Sequence, residues 1–219
     1  HNSMSSDQQP SLWNDVKAGA AVAGKRASIA GQKAKTRADI LLMDNRIKAR
    51  KQKLGIELYD FLVPFAEKDP HFIIESDTLT NIQGFFVTCF KDNKAILLKK
   101  AKKERELAEL NEKRAQAFPV PAETFGGKLK NAGKAASMTG SETKIKAAIA
   151  MMEREMKANK QTFGVETYHL LVKLEDEEKW LPSDRDVRFF YDQARREIMA
   201  MEQEKGNKKA ELAVLDWRS

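Results

Sequence analysis

The string AGKRASIAG at residues 23–31 returns as AGKAASMTG at residues 132–140, and the match continues without a gap to Leu62 and Leu171. Within residues 23–62, 18 of 40 positions are identical to the residue 109 places later, which is far above chance and marks an internal duplication. Past Leu62 the copies drift and lose about five residues of spacing, yet Phe85-Phe86 and Phe189-Phe190 still correspond. Each unit is longer than the common solenoid periods, so the chain reads as two tandem units and not as a repeat array.

The periodicity inside a unit is helical. Ile40, Met43, Ile47, Leu54, Leu58, Phe61 and Phe65 fall at spacings of three, four or seven, the pattern of one helix face. Ile149, Met152, Met156, Phe163, Leu170 and Leu174 repeat it, with Thr167 the one polar exception. A second face carries Lys48, Gln52, Gly55, Tyr59 and Leu62, all identical in the copy as Lys157, Gln161, Gly164, Tyr168 and Leu171. A glycine inside a helix costs roughly 1 kcal/mol relative to alanine. Its presence in both copies therefore points to close packing at Gly55 and Gly164, with Tyr59 and Tyr168 as helix-packing partners.

A second helix is predicted from about Thr78 to Gln116, with its counterpart from about Asp184 to Leu215. Ser183 followed by Asp186 resembles a capping box at the start of the latter. FPVPAETFGG at 118–127 joins two prolines to two glycines and reads as the linker. The expected architecture is all-α: two tandemly duplicated long helical hairpins forming a bundle or an elongated rod. Residues 1–15 are read as a remnant of expression (His1-Asn2-Ser3, ahead of Met4) and a flexible N-terminus. Residues 16–117 form repeat 1, with a basic arm at 16–53, and residues 128–219 form repeat 2.

Charge is concentrated in that arm. Residues 16–53 hold eleven basic and two acidic side chains, a local net of +9 in a chain whose total is +7. The same stretch carries a narrow stripe of small residues, Val16, Ala20, Ala23, Ala27, Ala30, Ala34 and Ala38. A weak, basic, amphipathic helix suits an anionic membrane surface. On this reading Trp13 sits at headgroup level, and Lys17, Lys25, Arg26, Lys33, Lys35 and Arg37 supply the attraction. The expected function is non-enzymatic, peripheral binding to anionic phospholipid. A helical protein–protein scaffold, with the alanine stripe seating a partner helix or a second copy, is the alternative. Nucleic-acid binding is a third reading, weakened because no aromatics are interleaved with the lysines.

Sites for chemistry are not evident. GAAVAGKR at 19–26 approaches a phosphate-binding loop but ends in Arg26 where a hydroxyl would hold magnesium. His71 and His169 have no Cys or carboxylate at ligand spacing, and His169 replaces Asp60 across the repeat. Glu57 and Glu166 recur, each two residues before a tyrosine, and a lysine partner or solvent exposure is the expectation for both. No catalytic residue, metal or cofactor is predicted. The single Cys89, in GFFVTCF, reads as a small buried hydrophobe in a reducing compartment. With no secretory signal and no apolar run of about 18 residues, a cytoplasmic protein, peripheral to a membrane, is expected.

Overall fold

The structure, a computed structural model, describes residues 10–69, 80–117, 125–177 and 185–218. Four long helices account for nearly all of them: α1 (Pro10–Lys68), α2 (Thr80–Ala117), α3 (Phe125–Asp176) and α4 (Arg185–Trp217). No strand occurs among the described residues. The described residues are all-α, and the helices pack lengthwise on one another within each of two compact units.

The chain chemistry explains the lengths. The helices are rich in Ala, Leu, Lys, Glu, Gln and Met, the strongest helix formers. Pro10 opens α1, where a missing N–H costs nothing, and Pro64 is the one proline inside it. Asp186 stands in the first turn of α4, where a carboxylate meets the positive end of the helix dipole. Its expected capping partner Ser183 lies outside the described residues, as do 1–9 and 118–124 of the expected tail and linker. Two boundaries differ from the sequence expectation. α1 takes in residues 10–15, and α3 begins at Phe125, so that Gly126 and Gly127 are helical. Glycine weakens a helix without forbidding it.

The chain forms two compact units, His1–Arg50 with Arg195–Ser219, and Lys51–Ala194. In the first, α1 and α4 run antiparallel. Lys33 meets Asp216 at 2.9 Å, Lys208 meets Asp39 at 3.8 Å, Lys205 pairs with Asp44, and Arg50 Nε reaches Glu197 Oε2 at 2.5 Å. Between these pairs runs a seam of buried Met43, Ile47, Ile198 and Leu215. Burying such a side chain contributes about 1.5–3 kcal/mol, against about 0–1 kcal/mol for an exposed ion pair. The seam therefore holds the two helices together, and the charges fix their register.

The second unit is built on a crossing of α1 and α3, with α2 laid antiparallel along α3. Leu54, Leu58, Phe86, Phe163, Leu171, Val187 and Tyr191 are fully buried there. The Phe86 ring is tilted against Tyr59 (5.8 Å between centroids) and edge-on to Phe163 (6.1 Å), and Tyr191 is tilted against Tyr168 (6.1 Å). Along α2 and α3, Asn159 Nδ2 donates to Asn93 Oδ1 at 3.0 Å, Lys100 meets Glu153 at 2.7 Å, and Arg114 meets Glu142 at 3.0 Å. Lengthwise pairing thus runs across the sequence repeat: the shorter helix of each copy lies along the long helix of the other, α4 on α1 and α2 on α3.

Candidate functional site

The first unit carries the charged arm up to Arg50, and the structure decides which way its described side chains turn. On α1, Thr36, Met43, Ile47 and Arg50 are buried toward α4. Ala27, Gly31, Ala34, Ala38, Leu41, Leu42, Asn45 and Ala49 recur at helical spacing on the opposite side, and all are exposed. From Ala27 onward the alanine stripe therefore faces outward, away from α4. It ends in two large apolar side chains, Leu41 at 64% and Leu42 at 58% exposure. Arg26, Arg37 and Lys48 border this stripe on one side, and Lys35 and Arg46 on the other, by their places on the helix turn. Trp217, at the end of α4 in the same unit, is 88% exposed.

Ion pairing sorts these cations further. Lys33 is largely covered, at 15% exposure, and its hydrogen bond holds the Asp216 carboxyl below its ordinary pKa, with Arg37 adding to the effect from 4.0 Å. Lys33, expected at a binding surface, is thus turned to α4. Arg50 is buried against Glu197. By contrast Arg26, Lys35, Arg46 and Lys48 are exposed and form no ion pair among the described residues. Trp13, Lys17 and Lys25 belong to α1, but their side chains lie outside the described ones. Of Arg46, Lys48, Leu41, Leu42 and Trp217, sequence reasoning named only Lys48, and that as part of the repeated face that carries Gly55. The signal available for the first four was their helical register with the alanine stripe.

In the second unit, Gly55 and Gly164 lie against each other at the α1–α3 crossing. A Cβ built on Gly55 would fall well inside 3.0 Å of the Lys160 carbonyl oxygen and the Gly164 backbone. One on Gly164 would meet the Gly55 backbone and the Lys51 carbonyl oxygen in the same way. Around this contact the two copies make reciprocal pairs. Lys160 Nζ lies 4.6 Å from the Tyr59 ring centroid and 2.6 Å from Asp60 Oδ1. Its equivalent Lys51 lies 4.9 Å from the Tyr168 centroid and 3.1 Å from His169 Nε2. Tyr59 and Tyr168 are buried, and burial, ahead of neighbouring charges, raises the Tyr59 pKa. This is an arrangement for close packing: glycine removes the side chains that would hold the helices apart, and each lysine caps the partner tyrosine.

The remaining candidates for chemistry are structural in their surroundings. Glu57 pairs with Lys53 at 3.4 Å, and Glu166 is exposed. Cys89 is buried beside Asn93, and burial lifts its thiol pKa to about 11. His71 lies outside the described residues. Among the described residues no three His, Cys, Asp or Glu side chains gather as metal ligands, and no helix is long and apolar enough to cross a membrane. No protein-family model, curated protein or solved structure matches the chain.

Proposed function

We propose that this protein binds anionic membrane surfaces peripherally through the outward face of α1 in its first unit. The observation that carries the reading is the exposed face from Ala27 to Ala49, with Leu41 and Leu42 on it, bordered on one side by Arg26 and Lys48 and on the other by Lys35 and Arg46, which form no ion pair among the described residues. Such a face sinks a shallow apolar strip to the acyl boundary while flanking Lys and Arg stems reach back to the headgroups. Each basic residue near an anionic leaflet contributes about 1 kcal/mol. Arg26, Lys35, Arg46 and Lys48 together therefore supply on the order of 4 kcal/mol, about a thousand-fold in affinity. Trp217, 88% exposed in the same unit, is the aromatic residue that would anchor the protein at the interface on this reading.

The test is flotation of the full chain with phosphatidylserine-containing and pure phosphatidylcholine vesicles at 0.15 M salt. Truncation of the arm is a poor control, because α4 would lose the helix it packs on. Point variants are used instead: Leu41→Asp with Leu42→Asp, and Arg26, Lys35, Arg46 and Lys48 each replaced by Glu. The reading expects flotation with anionic vesicles only, reduced by raised salt and lost in both variants. Absence of flotation, or flotation unchanged in both variants, overturns it. A constant oligomer, independent of lipid and dissociated by the Leu41→Asp and Leu42→Asp changes, would establish the face as a seat for a second copy.

A further inference from the structure

The second unit holds an open groove of about 760 Å³ between the end of α1, the middle of α2 and the facing stretch of α3. Its floor and walls are mainly apolar, with Val63, Pro64, Phe90, Leu97 and Met156 among them. The lining residues on α1 run from Ile56 to Glu67, a length of roughly 16 Å at 1.5 Å per residue. Packing does not fill this space, and its volume lies within the range of small-ligand sites, about 300–1,000 Å³.

The polar groups on the groove are unevenly satisfied. Lys160 is occupied by Asp60, and Glu153 by Lys100. Lys94 on α2 and Lys157 on α3 both line the groove, are exposed, and meet no carboxylate among the described residues, whereas Glu67 on α1 is the one lining carboxylate that meets no cation among them. Lys94 has only the Phe90 ring, at 5.8 Å. At the Tyr59 end, Asn93 is 1% exposed and already bonded to Asn159. Pro64 has no N–H to donate to the Asp60 carbonyl, which breaks the helical ladder where α1 borders the groove.

From the apolar walls and the excess of two uncompensated lysines, on α2 and α3, over one such carboxylate, Glu67, we infer that this groove binds a single-chain anionic amphiphile, a long-chain fatty acid carboxylate. The acyl chain lies along Val63, Leu97 and Met156, and the carboxylate meets Lys94 and Lys157. Two ammonium groups on separate helices match one carboxylate, whereas a cationic or zwitterionic head finds them repulsive or only half matched. The site belongs to the second unit and stands independently of the membrane face on the first.

The experiment is calorimetric titration of the full chain with laurate below its micellar concentration, repeated with octanoate, decanoate and myristate. The expected result is saturable binding of one laurate per chain. Affinity should rise about four-fold per added methylene, the equivalent of about 0.8 kcal/mol, until the chain outgrows the groove. Met156→Trp fills the groove and abolishes binding, and Val63→Trp repeats the test from the opposite wall should the first variant fail to fold. Lys94→Glu with Lys157→Glu lowers laurate affinity at least ten-fold and removes the preference for laurate over dodecyltrimethylammonium. Flotation on anionic vesicles is unchanged in Met156→Trp, so failure of one reading is distinguishable from failure of the other. No saturable uptake, uptake insensitive to both tryptophans, or equal affinity for the cationic amphiphile would overturn the inference.

Discussion

Alanine in place of glycine has opposite consequences at two positions of α1. At Gly31 nothing lies within 4 Å of an added Cβ, so the substitution removes unfolded-state freedom and improves helix propensity, stabilising by about 0.5–1 kcal/mol. At Gly55 the same propensity gain is present, but the added carbon meets only backbone atoms, from Lys160 and Gly164, well inside 3.0 Å. No rotamer change relieves a backbone clash, so α1 and α3 must part by about 1 Å, a gap that already forfeits a quarter to a half of each dispersion contact along it. Leu54, Leu58, Phe163, Tyr168 and Leu171 are buried in this unit, and overpacking of this kind costs about 1–3 kcal/mol, more when backbone cannot yield. Net of propensity, Gly55→Ala is expected to destabilise by about 2–3 kcal/mol. Gly164→Ala should do the same, and the double variant should cost less than the two together, because the helices have already separated. Urea unfolding followed by far-ultraviolet circular dichroism reads each midpoint. A Gly55→Ala chain as stable as Gly31→Ala would refute the close-crossing argument outright.

Three further outcomes follow from the same packing. Thr167 stands where Leu58 stands in the other copy, is wholly buried, and its Oγ1 has no hydrogen-bond partner; Thr167→Val should raise stability by about 1 kcal/mol in the same urea assay. The His169 pKa is lowered, first by partial burial and then by Lys51, so the unfolded chain binds the proton more readily, and stability rises with pH through the window just below 6.5 and falls on acidification. His169→Asp copies the Lys160–Asp60 pair onto Lys51 and should flatten that slope between pH 5.5 and 7, as measured by unfolding midpoints; a slope unchanged in the variant would assign it to other groups. Cys89, with its thiol pKa raised to about 11 by burial, should react with a disulfide reagent at pH 8 only as fast as the fold opens, so rapid labelling of the native chain would contradict its placement.

Much of the helical content was legible in the sequence because helix formation is a local property. Spacings of three and four, few prolines and strong helix formers foretold four long helices, with ends near those observed for α2 and α4. The positions of Leu54, Leu58 and Phe163 on a buried face followed from periodicity alone, and the glycine kept in both copies pointed to Gly55 and Gly164. The candidate surface was legible only in part. The alanine stripe and the excess of lysine are visible in one dimension, but a stripe of small residues serves a buried seam and an exposed face equally well.

Tertiary structure decided the rest, because it depends on which faces find each other across the chain. The sequence by itself determined an all-α chain with a charge excess in one segment, both consequences of residue order over a few helical turns, and two stretches 109 residues apart that match at 18 of 40 positions. Only the packing turned the stripe from Ala27 to Ala49 outward, committed Lys33 to Asp216 and left Arg46 and Lys48 without an ion pair among the described residues. Only the packing laid α4 along α1 and α2 along α3, and opened a groove where α1, α2 and α3 do not fill the space between them. Those outcomes come from contacts between residues far apart in the chain, such as Lys51 with His169, Arg50 with Glu197 and Asn93 with Asn159, which no local periodicity encodes.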